Sequence, residues 1–193
     1  MGDRIMKPAK RIFTLISVAI LAGITGCLTF QKMRVEIHFK RDYQQGEITV
    51  TYTGIGTSES DKDRQMSDFE DLREAVEEDN FYLDALEDGI YVKEIQLKKV
   101  DGQIVGNYTG IFRNLRIDGK QLLVNENDCS LEIAKEEGYK IRSNGKVTEE
   151  ADKFTVVWPK SDSSMWYEIT CSPDQPVYSL LPYFDSWQKG KNE

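Results

Sequence analysis

Apolar and polar residues alternate along several short stretches of this chain, and a period of two predicts half-buried β-strands. The first stretch runs from Met33 to Phe39, with apolar residues at every second position. After the turn at Gln44-Gln45-Gly46, residues 47–53 are rich in β-branched side chains, so the two stretches predict a β-hairpin. A second hairpin is predicted within residues 90–112, because Asp101-Gly102 favours a type I′ turn.

Further strands are predicted in the second half of the chain from short runs of β-branched and aromatic residues. These strands comprise residues 121–124, 129–134, 139–142, 154–158 and 165–170. Residues 54–65 are mostly polar and contain glycine and serine, so we expect a flexible loop there.

One stretch has helical periodicity, and it predicts a helix from Ser67 to Asp88. Ser67 and Glu70 match a capping box, in which each side chain satisfies a free backbone donor of the other residue. Gly89 is placed to end the helix in a left-handed conformation. A single apolar stripe is predicted to pack on the sheet, and it consists of Phe69, Leu72, Val76, Leu83 and Leu86.

The order of these elements is ββαββ followed by further strands, which predicts an α+β fold. Since no helix recurs between strands, we expect an antiparallel sheet with one amphipathic helix packed on a face. This domain is predicted to span residues 33–172. The aromatic-rich residues 173–193 form a C-terminal segment that either folds back on the domain as a short helix, which we favour, or lies on a surface.

The N-terminus has the pattern of an export signal, with a basic start followed by an apolar run. The apolar run, Ile12–Ala22, is about half as long as the roughly 20 residues that a membrane-spanning helix needs. It is followed by Ile24-Thr25-Gly26-Cys27, which resembles the lipobox of bacterial lipoproteins. Residues 1–26 are therefore predicted to be a cleaved signal peptide. The alternatives are an uncleaved anchor helix and a true start at Met6.

The lipobox resemblance implies that the thiol of Cys27 receives a diacylglycerol and that the mature chain begins with this palmitate-type lipid anchor. Residues 27–32 are then expected to form a short tether. We expect a protein anchored to the cell membrane or, in a Gram-negative host, to the outer membrane, and facing the periplasm or the cell exterior. Leu28 follows the cysteine where an Asp would alter sorting, which fits the outer membrane in such a host.

The net charge argues against a nucleic-acid partner once the signal is set aside. The signal holds four basic residues and one acidic residue, so the remainder has 21 basic against 32 acidic residues and a net charge near −11. An acidic domain repels nucleic acids. Much of the negative charge lies in the predicted helix. These residues form either a solvated helix face, which is the interpretation we favour, or a docking face for a basic partner. Its acidic residues are Asp68, Glu70, Asp71, Glu74, Glu77, Glu78, Asp79, Asp84, Glu87 and Asp88.

Two cysteines, Cys129 and Cys171, remain once Cys27 is assigned to lipid attachment. Exported compartments permit disulfides, so these two residues are predicted to form one. Two buried free thiols are the alternative. A zinc site is not expected, because there is no CxxC motif and His38 is the only histidine.

We find no motif that predicts catalysis or a cofactor. His38 lies on the polar face of a predicted strand, as a surface histidine does. Gly54-Ile55-Gly56 lacks the remainder of a dinucleotide-binding fingerprint. Residues 61–72 start like a calcium-binding loop, but Met66 and Leu72 replace the required Gly and Glu. We therefore expect a protein that is not an enzyme and has no metal or other cofactor.

A family resemblance comes from residues 139–147, Tyr-Lys-Ile-Arg-Ser-Asn-Gly-Lys-Val, and from the apolar strand 154–158 that ends in Trp158. A strand, an Asn-Gly turn with positive φ and an apolar strand ending in Trp resemble the extracytoplasmic domain of LppM-like mycobacterial lipoproteins. The resemblance implies an α+β fold that binds lipid or glycolipid, with no catalytic residues. Residues 173–193 differ from these relatives, which often end in a membrane helix.

These expectations lead to three hypotheses of function. The first is a non-enzymatic binding module at a membrane surface, whose ligand is a lipid or another apolar molecule held between the helix and the sheet. The second is a protein-docking envelope lipoprotein that uses the acidic helix face, with Glu74, Glu77 and Glu78 as central residues. The third and least supported hypothesis is an envelope hydrolase.

Overall fold

The computed structural model describes residues 28–40, 43–77, 80–117, 120–172 and 176–191. Its strands are β1 (Leu28–Thr29), β2 (Lys32–Phe39), β3 (Gln45–Thr57), β4 (Ile90–Val100), β5 (Gln103–Arg113), β6 (Arg116–Ile117), β7 (Lys120–Gln121), β8 (Leu123–Val124), β9 (Asp128–Ala134), β10 (Tyr139–Ser143), β11 (Lys146–Glu149), β12 (Lys153–Pro159), β13 (Ser164–Cys171) and β14 (Tyr178–Ser179). Its helices are α1 (Lys62–Glu77), α2 (Asn80–Glu87) and α3 (Leu181–Gly190). The predicted α+β class is confirmed, although the fold is mostly antiparallel sheet and its helices are short.

The larger sheet has eight strands, six of which lie in the order β10-β13-β2-β3-β5-β4. Outside this order, β1 and β14 both pair with the last residues of β3, Gly56 and Thr57. The two predicted hairpins are confirmed, because β2 pairs with β3 and β4 pairs with β5. At the second hairpin, Asp101 and Gly102 have φ angles of 49° and 74°, as a type I′ turn requires.

A smaller sheet, in the order β11-β12-β9-β8, contributes its buried side chains to the same hydrophobic core. Trp158 of β12 is fully buried there. Its indole N–H donates to Asn144 Oδ1 at 2.9 Å, and the same oxygen accepts the backbone N–H of Trp166 at 2.8 Å. Asn144 therefore ties the turn between β10 and β11 to strands of both sheets.

The conformation of this turn differs from the prediction, because neither Asn144 nor Gly145 has a positive φ. Gly145 is needed for another reason, since a Cβ atom at this position would lie 2.7 Å from Trp158 Cδ1. Asn144 is therefore explained by the hydrogen bonds of its side chain, and Gly145 by its close packing against Trp158, rather than by a need for positive φ.

Helix α1 begins earlier than the capping-box pattern predicts. Asp61, rather than Ser67, caps it, because Asp61 Oδ1 accepts the backbone N–H groups of the residues two and three positions later, both at 3.1 Å. The predicted loop over residues 54–65 is also wrong in its first part, since β3 continues to Thr57, which is fully buried.

The predicted single helix is two helices. Phe69 and Leu72 of α1 are buried as predicted, whereas Leu83 and Leu86 of α2 are 61% and 45% exposed, so their assignment to the core is wrong. Because α2 is a separate helix, its buried side need not be in line with the apolar stripe of α1, and here the stripe does not continue along α2. The buried residues of α2 are Phe81 and Ala85.

The N-terminal end of the described chain belongs to the larger sheet. Strand β1 pairs with β3, and the next residue, Phe30, is buried in the core. The backbone N–H of Gln31 donates to Thr53 O at 3.0 Å. Residues 28–32, which are predicted to belong to a short tether, are therefore part of the fold.

The C-terminal segment folds back on the domain as helix α3, which is the arrangement we favour from the sequence. The ring of Phe69 on α1 lies 6.3 Å from that of Tyr183 and 6.2 Å from that of Trp187 on α3. No helix in the described part of the chain is both long and apolar enough to cross a membrane.

Candidate functional site

Some of the predicted sites lie outside the part of the chain that the structure describes. These are Cys27, the signal peptide 1–26 and Glu78 of the acidic face. His38 is exposed on β2, as expected for a surface histidine. Within the described residues, no group of three His, Cys, Asp or Glu side chains is arranged to hold a metal ion.

The two remaining cysteines are free thiols in the structure. Cys129 lies on β9 of the smaller sheet, opposite Trp158. Cys171 lies on β13 of the larger sheet, opposite Tyr139. The structure therefore differs from the predicted disulfide, because the two cysteines lie on strands of different sheets and neither sulfur is bonded to the other.

Neither thiol is activated for chemistry at neutral pH. Burial raises the pKa of Cys171 to about 11, although a hydrogen bond with the Tyr139 hydroxyl acts in the opposite direction. Burial also raises the pKa of Cys129. A cysteine attacks a substrate only as the thiolate, so neither residue is prepared to act as a nucleophile.

An apolar cleft, which we call the helix–sheet cleft, lies between the helices and the larger sheet, where a ligand is predicted. Its walls include Ile55, Leu72, Val76, Phe81, Leu97 and Tyr108. Gly106 lets these walls approach closely, because an added Cβ would lie 3.0 Å from Ile55 Cδ1. The cleft has a volume of about 30 Å³, which is room for only a few water molecules. It is therefore too small to enclose an acyl chain.

The acidic face of α1 is partly neutralised by neighbouring cations. Arg73 bonds Glu70 at 2.7 Å and lies 3.5 Å from Glu77, which also pairs with Lys191 at 2.7 Å. Asp68 is buried and hydrogen-bonded within the domain. This face therefore presents fewer free carboxylates to a basic partner than the sequence indicates.

The remaining carboxylates of this face repel one another. Burial, followed by the charges of Glu74 and Asp68, raises the pKa of Asp71. Glu74 itself is exposed to solvent. A cation bound here would relieve this repulsion, but within the described residues no metal-binding arrangement forms.

The distal end of the larger sheet is the end at which the β2–β3 turn, the end of β5 and the start of β4 meet. Asn114 N donates to Gln44 O at 2.7 Å and Arg113 N donates to Gly89 O at 3.0 Å, so these segments and the end of α2 are joined. Most exposed large apolar side chains of the described residues lie on α2, on nearby β8, and on the first residues of β4 and the last of β5, where Tyr91 and Ile111 face away from α2 across the sheet. They are Tyr82, Leu83, Leu86, Tyr91, Ile111, Leu123 and Val124.

A groove of about 330 Å³ opens beside β8 at the distal end. Leu123 and Val124, which are 58% and 40% exposed, form part of its wall. Tyr43 and Asn114 also line it, both with a φ of 55°, a left-handed conformation that non-glycine residues rarely adopt. The volume is at the lower limit of typical ligand sites, and the lining mixes polar and apolar groups.

Sequence reasoning misses the distal end because it assigns Leu83 and Leu86 to the core. A signal is nevertheless present in residues 80–87, five of which are apolar. One face of a helix this short cannot bury all of them, so some apolar residues must face solvent or a partner.

A cluster of charges lies on the opposite face of the sheet from α1. Glu168 is buried, with Arg142 at 2.6 Å, Lys32 at 3.6 Å and Arg34 at 4.0 Å. Burial alone would raise the pKa of Glu168, but these cations bring it below its usual range. Arg34 also stacks over Trp166 at 4.3 Å. The paired charges indicate a structural cluster rather than a catalytic one.

Two features of the described residues are therefore able to hold a partner: the exposed distal end with its groove, and the helix–sheet cleft. The distal end has exposed area, whereas the cleft has an apolar but nearly filled interior. Comparison with protein-family models, with curated proteins and with solved structures finds no match to this chain.

Proposed function

We propose that this chain is a lipid-anchored extracytoplasmic protein that binds an envelope protein and catalyses no reaction. The observation that carries the proposal is the exposure of large apolar residues on α2 and on β8, where Leu123 and Val124 line the groove. Exposed apolar patches on a domain of this kind are typical of protein interfaces. The lipobox at residues 24–27 supports the location, and the protonated thiols support a role without covalent chemistry.

Helix α2 gives this surface a rigid base. Phe81 is buried and its ring lies 5.2 Å from that of Tyr108 on β5, which holds α2 against the sheet. Leu83 and Leu86, about one turn apart, face solvent on the other side. A partner that covers them removes apolar area from water, which favours the complex.

Photo-crosslinking in cells that export and lipidate the full chain tests the proposal. We expect a photoreactive phenylalanine analogue at Leu83 or Leu123 to give a discrete protein adduct, and the same analogue at Asp101 to give none. Leu86→Ser should weaken the adduct, whereas Met66→Ser, at an exposed position of α1, is the matched control. The same adducts from every position would contradict the proposal.

The apolar lining of the helix–sheet cleft favours a second function, the binding of an apolar ligand. Because the cleft holds about 30 Å³, its walls must move apart to enclose a ligand larger than a few water molecules. Native mass spectrometry with envelope lipids and titration with an apolar dye test this function. Binding that Ala75→Phe abolishes would support it, and a folded protein that binds no lipid or dye would exclude it.

A further inference from the structure

A single peptide bond separates the predicted lipid anchor from the fold. Leu28 follows Cys27 directly, and β1 is already paired at this point, with Leu28 opposite Thr57 and Thr29 opposite Gly56. Consecutive Cα atoms are about 3.8 Å apart, so a lipid on Cys27 holds Leu28 at the membrane surface. The chain between anchor and domain therefore contains no spacer.

The direction in which the chain leaves β1 is set by contacts on the residues that follow it. Phe30 is buried, and its ring lies 5.3 Å from that of Tyr52. The backbone N–H of Gln31 donates to Thr53 O at 3.0 Å, and Gln31 Oε1 accepts a hydrogen bond from Gln103 at 3.1 Å. With these contacts in place, β1 cannot swing relative to the sheet without breaking core packing.

The proximal end of the larger sheet is the end formed by β1, the last residues of β3, β14 and the tip of the β4–β5 hairpin. Tyr178 of β14 pairs with Thr57 and is 36% exposed. Val100, at the hairpin, is 39% exposed. Tyrosine suits a membrane interface, because its ring is apolar and its hydroxyl group is polar.

We infer that the proximal end rests on the bilayer interface that receives the lipid of Cys27, and that the strands of the larger sheet rise from the membrane. This inference rests on the proposed function, because it requires lipidation of Cys27. Glu47 lies ten residues from Thr57 along β3, so the distal end stands about 33 Å from the membrane at a rise of roughly 3.3 Å per residue. The exposed apolar surface then points away from the lipid.

The orientation is measured on the full lipidated chain in vesicles of phosphatidylethanolamine and phosphatidylglycerol that contain a lipid with a spin-labelled headgroup. Tyr178→Cys places a fluorescent thiol label at the proximal end, and Tyr91→Cys is the matched control at the distal end. Both variants carry Cys171→Ser. Cys129 is fully buried and Cys27 has no free thiol once it is lipidated, so only the introduced cysteine is labelled in the folded protein.

We expect the spin-labelled lipid to quench the label at position 178 several-fold more strongly than the label at position 91. Val100→Cys gives an independent proximal position in case Tyr178→Cys does not fold, and it should behave as position 178 does. Equal quenching at the proximal and distal positions, or stronger quenching at position 91, would overturn the orientation.

A spacer variant tests the role of the short connection. Eight Gly and Ser residues inserted between Cys27 and Leu28 span about 16 Å on average, so quenching at position 178 should fall clearly below its value without the insertion. Unchanged strong quenching would mean that something other than the short connection sets the orientation. The mass of the same sample separates the two proposals: a mass without lipid overturns both, whereas lipidated protein without differential quenching overturns the orientation alone.

Discussion

Asn144 illustrates how single polar residues fix the relation between the two sheets. Its side chain accepts hydrogen bonds from the Trp158 indole and the Trp166 backbone, and its Nδ2 donates to Ser164 O at 2.9 Å. Apolar packing is not directional, so it tolerates small shifts of one sheet against the other. Hydrogen bonds of fixed geometry remove that freedom.

Replacing Asn144 by Ala should therefore be costly. The buried Trp158 indole would lose its acceptor, and we expect a loss of about 2–4 kcal/mol in the free energy of unfolding, measured by urea denaturation. Asn125→Ala is the control, because Asn125 bonds Asp128 in an exposed position and should change stability by less than about 0.5 kcal/mol. Similar small effects of both substitutions would show that the network contributes little.

Glu168 leads to a prediction about pH. Its pKa is lower in the folded protein than in the unfolded chain, so its stabilising contribution is present above the unfolded value, about 4.3, and is lost as the pH falls through the folded value. Glu168→Gln should lower the free energy of unfolding at pH 7. Below the unfolded pKa of glutamate, the free energy of unfolding of this variant should depend less on pH than that of the unchanged protein. Glu94→Gln, at an exposed position, is the control. An unchanged acid profile in Glu168→Gln would contradict the prediction.

The helical region is the element whose prediction from sequence is only partly right. Periodicity predicts that α1 exists and that Phe69 and Leu72 face the core, because a period of 3.6 is a local property. It gives the wrong start, since Asp61 also matches an N-cap and lies within a stretch read as loop. It also carries the stripe into α2, which is a separate helix that buries Phe81 and Ala85 and leaves Leu83 in solvent.

Leu72→Ala and Leu83→Ala form a matched pair, because the sequence assigns both leucines to the same stripe. Leu72 is 1% exposed, and its truncation should cost about 2–5 kcal/mol, from lost burial and a cavity. Leu83 is 61% exposed, and its truncation should change stability by less than about 0.5 kcal/mol. Urea denaturation measures both. Comparable losses would mean that the stripe predicted from sequence is the correct one.

At the scale of the whole molecule, local patterns predict strands but not all of their partners. The alternation of β2 and the Asp101-Gly102 turn are visible in the sequence, and both hairpins follow from them. The pairing of β2 with β13 joins residues more than a hundred positions apart, and nothing local encodes it. The distal end is likewise assembled from separate segments, so no motif marks it.

The state of Cys129 and Cys171 gives a test of the whole fold. Because both thiols are free in the structure, we expect two labelled cysteines at positions 129 and 171 when the protein is denatured without reductant. In the folded protein, burial of Cys129 and the raised pKa of Cys171 should make labelling slow at neutral pH. No labelling after denaturation would establish the disulfide that the sequence predicts.

The position of β2 has a consequence for the order of events during folding. β2 meets β3 within a few residues but meets its other neighbour, β13, only after nearly all of the chain has been synthesised. Until β13 arrives, one edge of β2 is an open template for pairing with other chains. Such long-range closure is slow, so newly made chains need dilution or a holding factor during this interval. Cys27 precedes β2 in the chain, so the lipid that we propose for it would confine these unfinished chains to the membrane surface.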